Sequence, residues 1–400
     1  MNIKLTIPNV VFAFIIFLMA LKFTFSYLTV ELDWWLRFLT PNHEKFNPLH
    51  LPKNLSEYLE FLIIPTILFY LFISFGKLGP LKIPLFLTGV LLLLNCVTSY
   101  LNNINILESI RYTLKISAPI YFFCVLVVHS KRTGHNFNTL FIGSILYIVF
   151  LCIIALLFFD VSFNRGAYRY PVFFSGLHTH NYILAVTFIA ISLFLRKHTY
   201  ILTLYFLATF AFLALGYGVR TPMVFYLIYI SMVFYLKENL FKNIYARILA
   251  YLPFLGLFLF SALKNFDFNS FSSGRLSMYA KKFDILRYYK LEEYLFGRGW
   301  GSDLVKTKEW WYAEKGSHND YLTFLVENGA IYLFMFLVLI GSLLFLTKKN
   351  HLIYMTLIFG YLFTSIISNG LAVRALAGYW FFAVLAFIYI EYKNQKLSFA

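Results

Sequence analysis

Apolar runs long enough to cross a bilayer recur along this chain from end to end, and no other property restricts its fold so tightly. A hydrocarbon core about 30 Å thick takes ~20 residues of helix, and every backbone polar group inside it must be bonded within the segment. Twelve such segments can be placed, at about 8–30, 58–76, 83–100, 112–129, 139–159, 180–195, 200–216, 222–236, 247–263, 321–347, 351–368 and 374–391. Of the 400 residues, 60% are hydrophobic and 13% charged, too few polar groups to cover a soluble domain. A β-barrel would show alternating segments of roughly ten residues instead. The expected fold class is an all-α integral membrane protein of about 12 transmembrane helices. It is read as one polytopic domain over 1–400, with no internal repeat and no separable soluble part.

Local details agree with that class. The first segment is too long for a signal-peptide core and lacks a small-residue exit, so it reads as a retained span. Pro65, Pro84, Pro119 and Pro253 fall inside expected spans, where neighbouring helices can satisfy the freed carbonyls. Cys96, Cys124 and Cys152 also fall inside spans, which argues against disulfides and a cysteine metal site. The formal charge of +16 raises nucleic acid as a partner, but lysines facing anionic lipid account for it in such a chain.

Lysine-bearing short connections alternate along the chain: Lys77/Lys82, Lys131/Arg132, Arg196/Lys197, Lys237/Lys242/Arg247 and Lys348/Lys349. With Lys4, Lys393 and Lys396 near the termini, they orient both ends toward the cytoplasm. The long polar segment 264–320, between expected spans 9 and 10, then faces outward as one large loop containing a short amphipathic helix. Arginine does not follow lysine. Nine of 12 arginines fall on the outer side: Arg37, Arg111, Arg165, Arg169, Arg220, Arg275, Arg287, Arg298 and Arg374. Arginine offers a permanently charged fork that fits phosphate and carboxylate, so an anionic ligand is expected there; headgroup contact is the other reading.

Three stretches carry candidate chemistry. Arg220-Thr221-Pro222 reads as a helix start, with Thr221 as cap, whose free amides and dipole favour a phosphate. Beyond Ser273-Gly274-Arg275, apolar Leu276, Tyr279, Phe283 and Leu286 predict an amphipathic helix over 276–291, lying in the interface. Ser317-His318-Asn319-Asp320 reads as a capping pair, Ser317 with Asp320, that sets His318 at the mouth of a span. Histidine is suited to proton transfer near neutral pH, although His178 and His180 could claim the same role and spacing does not choose. No metal motif, P-loop or dinucleotide fingerprint is present, so no metal and no cofactor is expected.

Taken together, Arg220-Thr221, Gly274-Arg275-Leu276 followed by Met278-Tyr279, Gly297-x-Gly299-x-Gly301, His318-Asn319-Asp320-Tyr321-Leu322 and Glu327-x-Gly329 resemble the O-antigen ligase/O-antigen polymerase family. The resemblance is clearest from about Ala211 to Phe345, and the spacing from His318-Asn319 to Gly329 fits the family's ligases. It implies a metal-independent glycosyltransferase of lipopolysaccharide biosynthesis in the bacterial inner (cytoplasmic) membrane, with its active site facing the periplasm. Its donor would be an undecaprenyl-diphosphate-linked oligosaccharide and its acceptor a glycan or lipid A–core. Membrane lipids surround it, with room for a chain-length regulator as a further partner.

Carried over by position, Arg220 and Arg275 would hold the diphosphate, Asn319 would join the substrate-binding group, and His318 would activate the acceptor hydroxyl. Arg165, Arg169, Arg298 and Arg374 join them on the outer-arginine count alone. O-antigen polymerase leads, ligase is the alternative, and a flippase or transporter is a distant third. The last would need charge near mid-membrane, for which Lys22 is the main candidate.

Overall fold

The computed structural model describes residues 6–28, 30–31, 45–46, 55–133, 137–157, 162–164, 167–169, 177–216, 219–236, 269, 274–308, 312, 314–316, 318–346, 352–367 and 369–393. Among them the principal helices are α1 (Ile7–Leu28), α2 (Glu60–Ile73), α3 (Lys82–Leu101), α4 (Ile106–Thr133), α5 (Asn138–Leu157), α6 (Leu177–Leu195) and α7 (Thr199–Leu215). They continue with α8 (Arg220–Leu236), α9 (Arg275–Arg287), α10 (Leu291–Phe296), α11 (Asp320–Leu344), α12 (Leu352–Ile367) and α13 (Ala375–Lys393). Three two-stranded antiparallel pairs interrupt them: β1 (Val30–Glu31) with β2 (Lys45–Phe46), β3 (Ser162–Asn164) with β4 (Ala167–Arg169), and β5 (Val305–Lys306) with β6 (Glu314–Lys315).

Eleven of the twelve expected segments coincide with a helix; the segment 247–263 lies outside the described residues. By length and composition four helical stretches could cross a membrane, Ile7–Leu28, Gly79–Leu101, Ile106–Thr133 and Asp320–Leu344. The remaining apolar helices are shorter. The protein is thus all-α in its main elements, and four of its helices have the length and composition to cross a membrane.

The chain forms two compact units. The first holds residues up to Lys82, Ala118–Leu227 and Arg374–Ser398; the second holds Ile83–Ser117 and Ile228–Val373. In the first unit, Lys22 of α1 is buried but paired, 3.1 Å from Glu60 and donating to the Ser56 carbonyl at 2.7 Å. The mid-span charge that a transporter reading rests on is therefore bound to a carboxylate of the next helix. Side-chain bonds join the other helices: Tyr147 of α5 donates to the Ala20 carbonyl at 3.2 Å, Tyr205 of α7 to Phe188 at 3.1 Å, and Trp380 of α13 to Thr187 at 3.0 Å. Such polar pins replace the hydrophobic drive that lipid would remove.

The second unit is built on a turn and a kink. Helix α3 ends in a turn with left-handed Asn103, φ 53°, where Ile104 donates to the Ser99 carbonyl and Asn103 to Tyr100. Asparagine tolerates this conformation, and the double bond closes the helix end. Asn95 then donates to Thr113 of α4, holding the antiparallel pair. Helix α11 is broken at Gly329, φ 81° and ψ 176°, into 320–328 and 330–344.

The kink exists because two backbones meet there. Gly297, φ 76°, ends α10 opposite Glu327, and Gly329 lies opposite Leu295. Arg298 donates to the Val326 carbonyl at 3.0 Å and Gly299 to Glu327 at 2.7 Å, so the glycine loop pairs with the opened turn of α11. Thr98 of α3 and Asn102 of the turn after it donate to the Phe296 and Gly297 carbonyls at 2.7 and 3.2 Å. Neither glycine can carry a Cβ. It would stand 2.3 Å from the Glu327 oxygen at Gly297 and 2.2 Å from the Leu295 oxygen at Gly329.

Gly297→Ala and Gly329→Ala should each cost roughly 3 kcal/mol or more, combining backbone overlap with a positive φ. Gly341→Ala is the contrast, since nothing lies within 4 Å of its Cβ position in α11. It should be neutral or stabilising by up to about 1 kcal/mol. Thermal unfolding of detergent-solubilised protein, followed by size-exclusion fluorescence, reads all three.

Candidate functional site

Gly274 begins the site. Its left-handed φ of 76° turns the chain into α9, so Arg275 is the first residue of the helix. The cap comes from Asn269, five residues upstream. Its side chain accepts from the Ser277 amide at 3.2 Å and donates to the Ser277 hydroxyl at 2.7 Å, while its carbonyl accepts from Gly274 at 2.8 Å. Arg275, half-buried, is thereby held at a capped helix start.

Helix α9 differs from the expected amphipathic element. It stops at Arg287, and a second short helix begins at Leu291. Its buried residues are Met278 and Lys282, whereas Leu276 is 45% and Phe283 53% exposed. Leu276 and Phe283 stay exposed, as the apolar stripe of a helix lying in the interface would, while Lys282 is drawn inward to the buried carboxylate of Asp303 at 2.7 Å. Both partners are almost wholly shielded from solvent. Burial pulls the Lys282 ammonium below its ordinary value, and Asp303 pulls it back up. Removing one partner from a buried pair of this kind costs roughly 3–5 kcal/mol.

The His318 corner is fastened at successive residues. His318 lies in the left-handed region, φ 50°, uncommon for a non-glycine side chain and of interest because such backbone clusters at functional sites. Its carbonyl accepts from the Tyr279 hydroxyl of α9 at 3.4 Å. Asn319, not the expected Ser317, is the N-cap of α11: its side-chain oxygen accepts from Leu322 at 3.1 Å and its amide donates to the Ile366 carbonyl at 2.9 Å. Ser317 lies outside the described residues. Asp320 accepts from the Gly370 amide at 2.9 Å, and Tyr321 donates to the Leu362 carbonyl at 2.7 Å. The motif His318-Asn319-Asp320-Tyr321 thus uses three consecutive side chains to pin the histidine backbone to α12 and the segment after it.

Between these elements runs the glycine loop. Gly301 donates its amide to the Glu327 carboxylate at 2.9 Å, and Asp303 accepts from the Thr323 hydroxyl at 2.8 Å. The Tyr289 hydroxyl donates to the Val326 carbonyl at 3.1 Å. The second unit therefore brings together Arg275, His318, Asn319, the three glycines and Glu327-x-Gly329, which are separate stretches in the sequence. Asn269, Lys282, Asp303 and Thr323 also belong to the construction and carried no spacing signal; only a buried ion pair and hydrogen bonds between segments distant in the chain reveal them.

Arg298 lies in this unit with its fork engaged. Nε and Nη2 donate to Glu293 at 3.0 and 3.2 Å, and the guanidinium stacks 4.3 Å from the Tyr289 ring centroid. Arg169, Arg220 and Arg374 belong to the first unit. Arg220 opens α8 and is exposed, one residue earlier than the expected cap at Thr221. Arg374 donates to the Thr179 hydroxyl at 3.0 Å, Arg169 is on β4, and Arg165 lies outside the described residues. His180 is buried, 3.3 Å from the Ser26 hydroxyl and edge-on to Tyr27 at 4.7 Å, a packed position. His178 is part of α6. Among the described residues no group of histidine, cysteine, aspartate and glutamate side chains could hold a metal ion.

The Arg298–Glu293 link gives a pH test. Hydrogen bonds from the Arg298 side chain, and next from the Lys290 amide, hold the Glu293 carboxyl below its ordinary value of 4.5. With the folded value depressed, the stabilisation is complete above 4.5 and disappears as pH falls through the lower, folded value. The difference in thermal midpoint between the native protein and Glu293→Gln should be positive at pH 7 and shrink toward zero on acidification through that window.

No family model, no curated protein and no solved structure matches the chain.

Proposed function

We propose that the protein is a membrane glycosyltransferase that moves a glycan from undecaprenyl diphosphate to an acceptor hydroxyl at the periplasmic face. The observation that supports it most is the meeting, within one unit, of an arginine at a capped helix start and a histidine held in left-handed backbone, braced by the glycine loop. A polyprenyl diphosphate is already an activated leaving group. The enzyme's task is then to stabilise developing negative charge and to place the acceptor.

In this reading His318 takes the proton of the acceptor hydroxyl as its oxygen attacks the anomeric carbon. The bond from that carbon to the phosphate oxygen breaks, and undecaprenyl diphosphate leaves with the electron pair. Arg275 holds the departing diphosphate through charge-assisted bonds; the same role for Arg220 rests on the family resemblance alone. Asn319 holds the corner that presents His318 and joins the acceptor side. Arg298 is a weaker candidate for anion binding, because Glu293 already occupies two of its donors.

The leading acceptor is the terminal sugar of another lipid-linked repeat, which makes the protein an O-antigen polymerase of about 12 spans with its long loop outside. The ligase alternative, with lipid A–core as acceptor, is favoured by the spacing from His318-Asn319 to the kink glycine Gly329. Deleting the gene separates them. Single-repeat lipopolysaccharide on a gel marks a lost polymerase, and uncapped core with long lipid-linked chains retained marks a lost ligase.

Arg220→Ala, Arg275→Ala and His318→Ala should each lower transfer by about 100-fold or more, within the range of a lost general base or charge clamp, while the protein stays in the membrane fraction. Normal chain length in all three variants rejects the proposal. Orientation has its own test. In a background without native cysteines, a cysteine at exposed Lys308 should react in intact spheroplasts with a membrane-impermeant maleimide, and one at Lys197 only after lysis.

A further inference from the structure

We infer that Asp303 is a positioning residue that sets the spacing between Arg275 and His318, an assignment that rests on the glycan-transfer reading. One carboxylate reaches both functional helices. Its Oδ1 lies 2.7 Å from Nζ of Lys282, seven residues beyond Arg275 on α9. Its Oδ2 accepts from the Thr323 hydroxyl at 2.8 Å, five residues beyond His318 in the first turns of α11. A Cβ at Gly316, two residues before His318, would stand 3.1 Å from the same oxygen.

Asp303 is itself immobilised. The loop that delivers it is bonded to the opened turn of α11 through the amides of Arg298, Gly299 and Gly301. The charge on Asp303 is buried, at 2% exposure, and is met by one ammonium, which is buried too. A second buried carboxylate, Glu327, is taken up by the Gly301 amide. A buried ion pair is a poor source of net stability compared with apolar packing, but its geometry is demanding, because either charge left alone is costly. That property suits a spacer. A hydrophobic contact between α9 and α11 could slide, whereas the Lys282–Asp303–Thr323 chain admits one separation. A shift of about 1 Å in a reacting group can cost on the order of 100-fold in rate, so the spacing has a direct kinetic readout.

The test uses the full-length protein in lipid nanodiscs, with an undecaprenyl-diphosphate-linked repeat unit as donor and acceptor. Asp303→Asn should lower kcat about 30-fold or more, with KM for the lipid-linked substrate within about twofold. Thr323→Val, which removes one hydroxyl and leaves the ion pair, should lower kcat by about 3- to 10-fold. Lys282→Arg keeps the charge but changes its reach at a fully buried position, and should also lower kcat by about 3- to 10-fold. Glu314→Gln, at the exposed Lys306–Glu314 pair, should change nothing.

Hydrogen exchange supplies a readout independent of turnover. Asp303→Asn and Thr323→Val should each speed exchange in both 276–287 and 319–325, with 179–195 unchanged as the control for folding. The assignment is overturned by kcat within twofold of native in Thr323→Val, by a rise in KM at constant kcat, or by faster exchange confined to 301–305. If the native protein transfers no glycan, the functional reading fails by itself. Coupled exchange in the two segments then still supports the spacer, and uncoupled exchange rejects it.

Discussion

Two glycines that face each other across a backbone contact hold the second unit in its shape. Gly297 and Gly329 each sit where a Cβ would overlap the opposite chain, and each has a positive φ. The contact needs both conditions at both ends, because the amides of Arg298 and Gly299 can reach α11 only when the two chains touch. Opening a helix inside an apolar segment leaves carbonyls unbonded, which is costly away from water. Here the glycine loop supplies the missing donors, so the break in α11 is satisfied by protein.

The remaining features of the site depend on that contact. With the loop bonded to 326–327, Asp303 is delivered beneath the first turns of α11, and Lys282 is drawn to it across α9. A stripe of Leu276 and Phe283 stays outward and a lysine goes inward, because a buried carboxylate left without a partner is costly. The His318 corner then gains Tyr279 from α9 on one side and the end of α12 on the other, which allows a histidine to remain in left-handed backbone.

The same comparison sorts the candidate residues. His180 and His318 look alike in the sequence, each near a helix start and followed by asparagine. In the structure His180 is buried against Ser26 and Tyr27, whereas His318 is half-exposed at a strained corner. Arg298 and Arg275 are also alike as outer arginines. Arg298 is tied up by Glu293 and Tyr289, and Arg275 occupies the start of a helix capped from Asn269.

Much of the architecture was legible in the sequence for a simple reason. A run of apolar residues of spanning length has one stable backbone conformation in lipid, so helix positions follow from hydropathy alone. The short motifs around Arg275, the three glycines, His318-Asn319 and Glu327-x-Gly329 were also visible as separate stretches. Their meeting was not. Which residue caps α11, which face of α9 is buried, why Gly329 must be glycine and what Asp303 bridges all depend on contacts between segments distant in the chain. Those contacts are set by backbone approach and by the pairing of buried charge, neither of which has a period or a spacing that one sequence can display.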